Sequence, residues 1–237
     1  MATEFFYHGK LFKVQYDPND NSGLGSILEI VTRNDYKLDR FVGKKNKIFV
    51  DIGANLGIAT IIMAKLNPAS IIYSFEPFKK VYDMLIQNIK INNLTNVRAY
   101  NLAVSNSTNK QLMLTVLNQM SGASSTYSVP EKFSEYWQAT NLAQPTPNKQ
   151  IINCISFDDF LTQCKINEVF LLKIDCEGAE FDIIYDSRLF KNFIVKNIVG
   201  EFHDLQYNNI TKNKSHELIA YCKEYINGIV NISVLTL

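Results

Sequence analysis

The sequence predicts an α/β fold: a doubly wound, mostly parallel sheet with an N-terminal extension and an insertion after its third strand. Two observations carry this. From Lys47 to Leu102, short apolar runs alternate with amphipathic stretches, a rhythm suited to parallel strands joined by right-handed crossovers. Two apolar runs, Ile48-Phe49-Val50-Asp51 and Leu171-Leu172-Lys173-Ile174-Asp175, end in an aspartate just before a glycine-bearing turn. Strands buried on both faces read as such runs, and open α/β sheets hold ligands at their carboxyl ends.

The elements follow in order. Phe5 to Val14 forms a hairpin about His8-Gly9-Lys10, and Asp17 to Gly23 is dense in turn residues. Leu24, Ile27, Leu28, Ile30 and Val31 recur at helical spacing. Ile48–Asp51 is the first strand of the main sheet, and Ile58–Lys65 its helix, stopped by Asn67-Pro68. Ile71–Phe75 is the second strand, Phe78 to Ile91 the second helix, and Val97–Leu102 the third strand. Residues 104–150 interrupt the rhythm. Leu112–Leu117 reads there as an extra strand, and Ser121–Thr126 and Gln144–Asn148 as loops. An insertion of this length serves as a lid or substrate wall, or is a variable surface loop. Ile155 to Leu161 resembles a short helix capped by Ser156. Val169–Asp175 is the fourth strand, followed by a helix from about Gly178. Phe193–Glu201 holds the fifth, Ser215–Tyr225 is a helix capped by Ser215, and Ile229–Leu235 is a last strand. Residues 1–46 thus form an extension packed on a main domain, 47–237.

Composition narrows the function. The chain has 237 residues, of which 46% are hydrophobic, enough for a sizeable core. A net charge of +1, from 24 basic and 23 acidic residues, gives no broad nucleic-acid or anionic-membrane surface. No apolar run approaches the ~18–20 residues of a membrane span, and the N-terminus lacks a signal pattern. A cytoplasmic location is expected. Cys154, Cys164, Cys176 and Cys222 are scattered and read as reduced, partly buried hydrophobes.

The chemistry concentrates at three strand ends. In Asp51-Ile52-Gly53-Ala54-Asn55-Leu56-Gly57 the glycines follow G-x-x-x-G rather than the G-x-G-x-x-G that seats a pyrophosphate on a helix N-terminus. A carboxylate stands beside the turn. The segment suits a nucleoside that carries positive charge in place of phosphates, as S-adenosylmethionine does. Read blandly, it is the strand-turn-helix of any α/β protein. Glu76, in Phe75-Glu76-Pro77, lies nineteen positions after Gly57. That is near the ~20-residue spacing at which an acidic side chain takes ribose hydroxyls. Asp175 closes the fourth strand, across the crevice from the first. Glu177 and Glu180 follow it where a helix start favours negative charge, so capping accounts for at least Glu180. Strand alternation puts Glu201 and His203 on one side. A histidine facing an aspartate makes a general base, although a lone histidine is commonly a hydrogen-bonded structural residue.

The motifs D-I-G-A-N-x-G at Asp51–Gly57, Phe75-Glu76-Pro77, Asn96-Val97 with Ala103-Val104, Ile155-Ser156-Phe157-Asp158, K-I-D-x-E-G-A-E at Lys173–Glu180 and Glu201-Phe202-His203 strongly resemble the FkbM family of methyltransferases. Order and spacing match from about Lys47 to His203. The resemblance implies a class I, Rossmann-like methyltransferase fold and O-methylation of a hydroxyl on a sugar, glycan or other small molecule. It implies that Asp51, Gly53, Ala54, Asn55 and Gly57 hold the methionine moiety of S-adenosylmethionine. Glu76 and Pro77 would meet the ribose, Asn101 to Ala103 the adenine edge, and Asp175 the methyl group. A seven-stranded class I sheet ends in two strands, and this chain has room for one after Tyr225.

The expected catalytic residues are therefore His203 as base, with Asp175 or Glu201 orienting it. A divalent ion on Asp175, Glu201 and His203 is the competing idea, and no metal ligand is expected. The expected partner is a small-molecule or glycan acceptor, with neither nucleic acid nor membrane. Alternatives are a nucleic-acid methyltransferase, against which the Ile174-Asp175-Cys176-Glu177 strand end and the missing basic stripe stand, and a non-catalytic nucleoside-binding module.

Overall fold

In a computed structural model of the chain, which describes residues 1–20, 22–117, 121–126, 147–204 and 214–236, the apolar run at Ile48 is the middle of a six-stranded sheet. An N-terminal hairpin, β1 (Ala2–Tyr7) and β2 (Lys10–Gln15), comes first. Helix α1 (Ser22–Ile27) runs on into a π-helical turn, Leu28–Thr32, and a 3₁₀ turn covers Leu38–Phe41. Then β3 (Ile48–Ile52), α2 (Ile58–Leu66), β4 (Ile71–Phe75), α3 (Lys79–Ile91) and β5 (Val97–Tyr100) alternate. Strands β6 (Ala103–Ser105), β7 (Gln111–Leu117) and β8 (Pro147–Ser156) build a small separate sheet in the order β6-β8-β7. The main fold resumes with α4 (Phe157–Gln163), β9 (Leu171–Ile174), α5 (Glu180–Asp186), β10 (Ile198–Asp204), α6 (Lys214–Tyr225) and β11 (Val230–Thr236).

The main sheet has the order β11-β10-β9-β3-β4-β5, with every neighbouring pair parallel. The chain winds from β3 to one edge and then from β9 to the other. The direction of winding reverses between β3 and β9, which opens a crevice at their carboxyl ends. The fold is the doubly wound α/β class read from the sequence.

Alternation along the strands fills both layers. Val50, Ile52, Leu172 and Ile174 join Phe160, Ile184 and Leu218 of α4, α5 and α6 in one core. Phe49, Ile72 and Leu171 face Ile58, Ile61 and Ile62 of α2 on the other side, with Phe12 and Val14 of the hairpin. The hairpin's edge is sealed by Asn88 of α3 and by Asn92 at its C-terminal cap. Asn88 Oδ1 accepts from Gln15 N at 2.6 Å and Asn92 Oδ1 from Lys13 N at 3.1 Å. Ser156 caps α4, its Oγ accepting from Asp159 N at 3.0 Å. No helix among the described residues is long and apolar enough to cross a membrane.

The elements depart from the sequence expectation in four places. The third strand stops at Tyr100, and Ala103 to Ser105 turn into the small sheet instead. Pro147 and Asn148, expected in a loop, begin β8, where a first-position proline withholds no needed donor; residues 144–146 lie outside the described ones. The fifth strand is shifted to 198–204: Phe193 has a left-handed φ of 56°, and the ladders with β9 and β11 start only after Asn197. The Asn197 side chain there donates to Phe170 O at 2.7 Å and accepts from Ile229 N at 2.9 Å. Ser215 does not cap α6. It is Asp204 that accepts, from Ser215 N at 3.0 Å and Ser215 Oγ at 2.7 Å. After α6 the described residues hold the one strand, β11, paired parallel to β10.

Candidate active site

The turn after β3 is closed by its own amides. Gly53 N and Ala54 N both donate to Phe75 O, at 3.1 and 2.9 Å, and Gly57 N donates to Ala54 O at 2.9 Å. Asn55 N donates to Glu76 Oε2 at 2.9 Å. With these donors engaged, the turn offers little to a phosphate, which needs free amides. Two glycines are required by geometry. A Cβ on Gly53, at φ 75°, would stand 1.8 Å from Asp175 O, so β3 and β9 meet only over a bare backbone. A Cβ on Gly57, at φ 86°, would stand 2.3 Å from Leu85 Cδ1.

Asp51 takes a different place from its neighbours. It is fully buried, across the sheet from Ser74 and Lys173. Its Oδ2 accepts from Thr60 Oγ1 at 2.6 Å, and Thr60 Oγ1 lies 2.8 Å from Ser74 Oγ. Lys173 Nζ stands 3.3 Å from Asp51 Oδ1 and donates to Gly53 O at 2.7 Å. Burial alone would lower the Lys173 pKa, but the Asp51 and Asp175 carboxylates beside it raise it and keep it charged. This buried pair fixes the turn from beneath. Lys173 interrupts an otherwise apolar strand, and a lysine there requires a carboxylate partner; that was the legible signal for its role.

Above the turn lies a cleft lined by Gly53, Asn55, Glu76, Pro77, Leu102, Ala103 and Asp175, and by Ser121, Gly122, Ser124 and Thr126 of the insertion. Glu76 is 8% exposed, and its Oε1 also accepts from Phe78 N at 2.8 Å. Burial raises its pKa to about 7 against the lowering pull of those two amides and of Lys173. Asn101 Nδ2 donates to Glu76 O and Pro77 O, both at 2.9 Å, and so ties down the strand end. Ala54 is buried. Neither Asp51, Ala54, Gly57 nor Asn101 lines the cleft, whereas Gly53, Asn55, Glu76, Pro77, Ala103 and Asp175 do. Residues 121–126 are anchored to the start of α1, with Gly122 N donating to Ser22 Oγ at 2.8 Å. The rest of the expected lid, 127–146, lies outside the described residues.

Beside the cleft, β10 pairs with β9 only as far as Gly200 and then projects past it. His203 therefore meets the loop after β9. Its ring is 1% exposed. Nδ1 lies 3.1 Å from Glu180 Oε1, and Nε2 lies 3.6 Å from Glu177 Oε2 and 3.8 Å from Asp175 Oδ1. Burial would lower the His203 pKa, but Glu177, Glu180 and Asp175 together hold it well above the ordinary value. Glu177 itself, in a left-handed conformation at φ 56°, is pushed up to about 8 by burial, against the lowering effect of His203. Tyr36, from the N-terminal extension, donates to Asp175 Oδ2. Glu201 is half-buried, its pKa raised by burial and then by Asp175. Glu180 does cap its loop, accepting from Cys176 N at 2.8 Å and Gly178 N at 2.9 Å, and it also orients His203. Glu177 has only the part of a helix-start charge in the sequence reading, although the helix begins at Glu180, and Tyr36 has no assigned part there. The D-x-E spacing on a turn was a signal for the first; nothing local marked the second.

Comparison with known proteins adds the family. The methyltransferase FkbM domain matches residues 51–225, well over half of the chain. The chain belongs to the FkbM methyltransferase family. Within the region common to that family lie Asp51, Glu76, Asp175 and His203. Methyltransferase 1 of Beauveria bassiana is 29% identical over 145 residues, 59% of this chain and 57% of that protein. Methyltransferase sdnD of Sordaria araneosa is 28% identical over 173 residues, 66% of each chain. The FkbM chain described here thus spans about three fifths to two thirds of the length of these curated relatives. Among solved structures, M. jannaschii TYW2, crystallised with AdoMet, is 26% identical over 41% of this chain and 42% of its own, with a TM-score of 0.29.

Proposed function

We propose that this FkbM-family protein transfers the methyl group of S-adenosylmethionine to a hydroxyl of a sugar, glycan or other small molecule. The observation that carries the reading is the cleft at the β3–β9 reversal, with a buried carboxylate at its ribose end and a turn whose amides are already engaged. Gly53 and Asn55 flank the methionine moiety and Glu76 accepts from the ribose hydroxyls. Leu102 and Ala103 meet the adenine. Asp51 acts through Lys173, which holds the Gly53 carbonyl. Asp175 stands nearest the sulfonium.

Methyl transfer requires an in-line approach of the acceptor oxygen, so positioning supplies much of the rate. An alcohol also needs its proton removed as the bond forms. The cluster of Asp175 and Glu177 at the cleft wall, with His203 and Glu201 behind them, gathers titratable groups to which that proton can be relayed. Its acidity supports a neutral or cationic acceptor over an anionic one.

The experiment is incubation with methyl-labelled S-adenosylmethionine against sugars, glycans, small alcohols and tRNA. Label in a hydroxyl-bearing small molecule or glycan supports the reading, and label in tRNA alone overturns the acceptor class. His203→Ala should lower single-turnover transfer by about 100-fold, the order of an acid–base contribution, because the ring positions the Asp175 and Glu177 carboxylates, with S-adenosylhomocysteine affinity nearly unchanged. Full transfer by this variant removes His203 from the chemistry.

A further inference from the structure

We infer that Asp175, Glu177 and His203 form a binding site for one divalent cation of the Mg²⁺ or Mn²⁺ kind. The role given to the ion rests on the methyl-transfer reading; its binding does not. One ligand atom from each of the three residues lies within 4.8 Å of the others. An ion with bonds of ~2.1–2.4 Å holds its ligand atoms roughly 3 to 4.8 Å apart, so the cluster needs little closure to receive one. Carboxylate oxygens with one imidazole suit hard or borderline divalent ions.

Acidic groups alone would not make this a site. The deciding feature is the histidine. His203 is 99% buried, and its Nδ1 is engaged by Glu180, itself fully buried and fixed by two backbone amides. That arrangement, a carboxylate on one ring nitrogen with the other nitrogen presented outward, orients imidazole ligands to metals. Nε2 stands 3.8 and 3.6 Å from the Asp175 and Glu177 carboxylates, at ion-pair distances, so that a metal ion can take the place of its proton among the same three groups. Asp175 is fixed in a matching way. Tyr36 occupies Oδ2, and Oδ1 is the atom facing Nε2. Glu177, at a left-handed φ of 56°, brings Oε2 to 3.6 Å from Nε2. The structure thus replaces Glu201, the third residue of the competing idea drawn from sequence, with Glu177.

At this place the ion would hold the acceptor oxygen and lower its pKa. As the O–CH₃ bond forms and the S–CH₃ bond breaks, the hydroxyl proton passes to the Glu201 carboxylate, which lies outside the ligand set. The products are the methyl ether and S-adenosylhomocysteine.

The test is Mn²⁺ binding followed by electron paramagnetic resonance, with S-adenosylhomocysteine calorimetry on the same samples. Wild type and the distant control Glu168→Gln should each take up one Mn²⁺ per chain, competed by Mg²⁺. Glu177→Gln and His203→Asn should bind Mn²⁺ at least 10-fold more weakly; if the second variant does not fold, the first decides. No uptake by wild type at millimolar Mn²⁺, or equal affinity in the folded variants, overturns the site. Either result with S-adenosylhomocysteine still bound leaves the cofactor reading standing, whereas loss of that binding in wild type strikes the cofactor reading alone.

Discussion

Among single residues, Glu76 makes the sharpest demand on the account. Its carboxyl is buried, and its pKa stands near 7 rather than at the ordinary 4.5. Between those values the folded state holds a proton that the unfolded state releases, so this group's contribution to stability falls as pH rises from about 4.5 to 7. Cofactor affinity moves in the opposite direction, because a ribose diol donates to the ionised form. S-adenosylhomocysteine binding should strengthen between pH 5.5 and 8, by up to about tenfold per pH unit below the midpoint. Glu76→Gln should flatten that profile and cost about 1.5–3 kcal/mol at pH 8, the range for a hydrogen bond to a charged group. Calorimetry across pH measures both, and a Gln variant with wild-type affinity and profile places ribose recognition elsewhere. Lys173 and Asp51 illustrate the other use of charge. Neither lines the cleft, yet they hold its floor at Gly53.

At the level of elements, the site exists because β3 and β9 end side by side and their loops touch. Gly53→Ala puts a Cβ into Asp175 O and a side chain onto a left-handed backbone. We expect a loss of about 1–3 kcal/mol in denaturant-derived stability and weakened S-adenosylhomocysteine binding. Unchanged stability would mean that the two loops are not in contact. These central elements were legible in the sequence, since the continuous apolar runs of buried parallel strands end in unmistakable glycine turns. The small sheet was legible only in part. Leu112–Leu117 showed its β pattern, but its partner β8 begins with Pro147 and Asn148, which read as turn residues until a strand pairs with them. The fifth strand begins later than read, at Ile198, where the Asn197 side chain is held by contacts with Phe170 and Ile229, distant in sequence. Asp204 rather than Ser215 serves α6 for the same reason: which partner donates and which accepts is a tertiary fact.

For the molecule as a whole, two cores on either side of one sheet leave the carboxyl edge as the place where the N-terminal extension, the insertion and both strand loops converge. The extension contributes Tyr36 to Asp175, and the insertion contributes residues 121–126 to the cleft wall. Neither contribution could be read from the motifs, which cover the shared domain and not its additions. The cofactor's half of the cleft was the more legible one. It depends on local turns and a fixed spacing, whereas the acceptor's half depends on how distant segments meet. The central claim is that this cleft is built for S-adenosylmethionine. The most direct measurement is calorimetric titration of the purified protein with S-adenosylhomocysteine, NAD and ATP under one set of conditions. The account predicts one S-adenosylhomocysteine site per chain in the micromolar range, about −7 to −8 kcal/mol, with NAD and ATP far weaker. Tighter binding of NAD or ATP, or no S-adenosylhomocysteine binding, would contradict it.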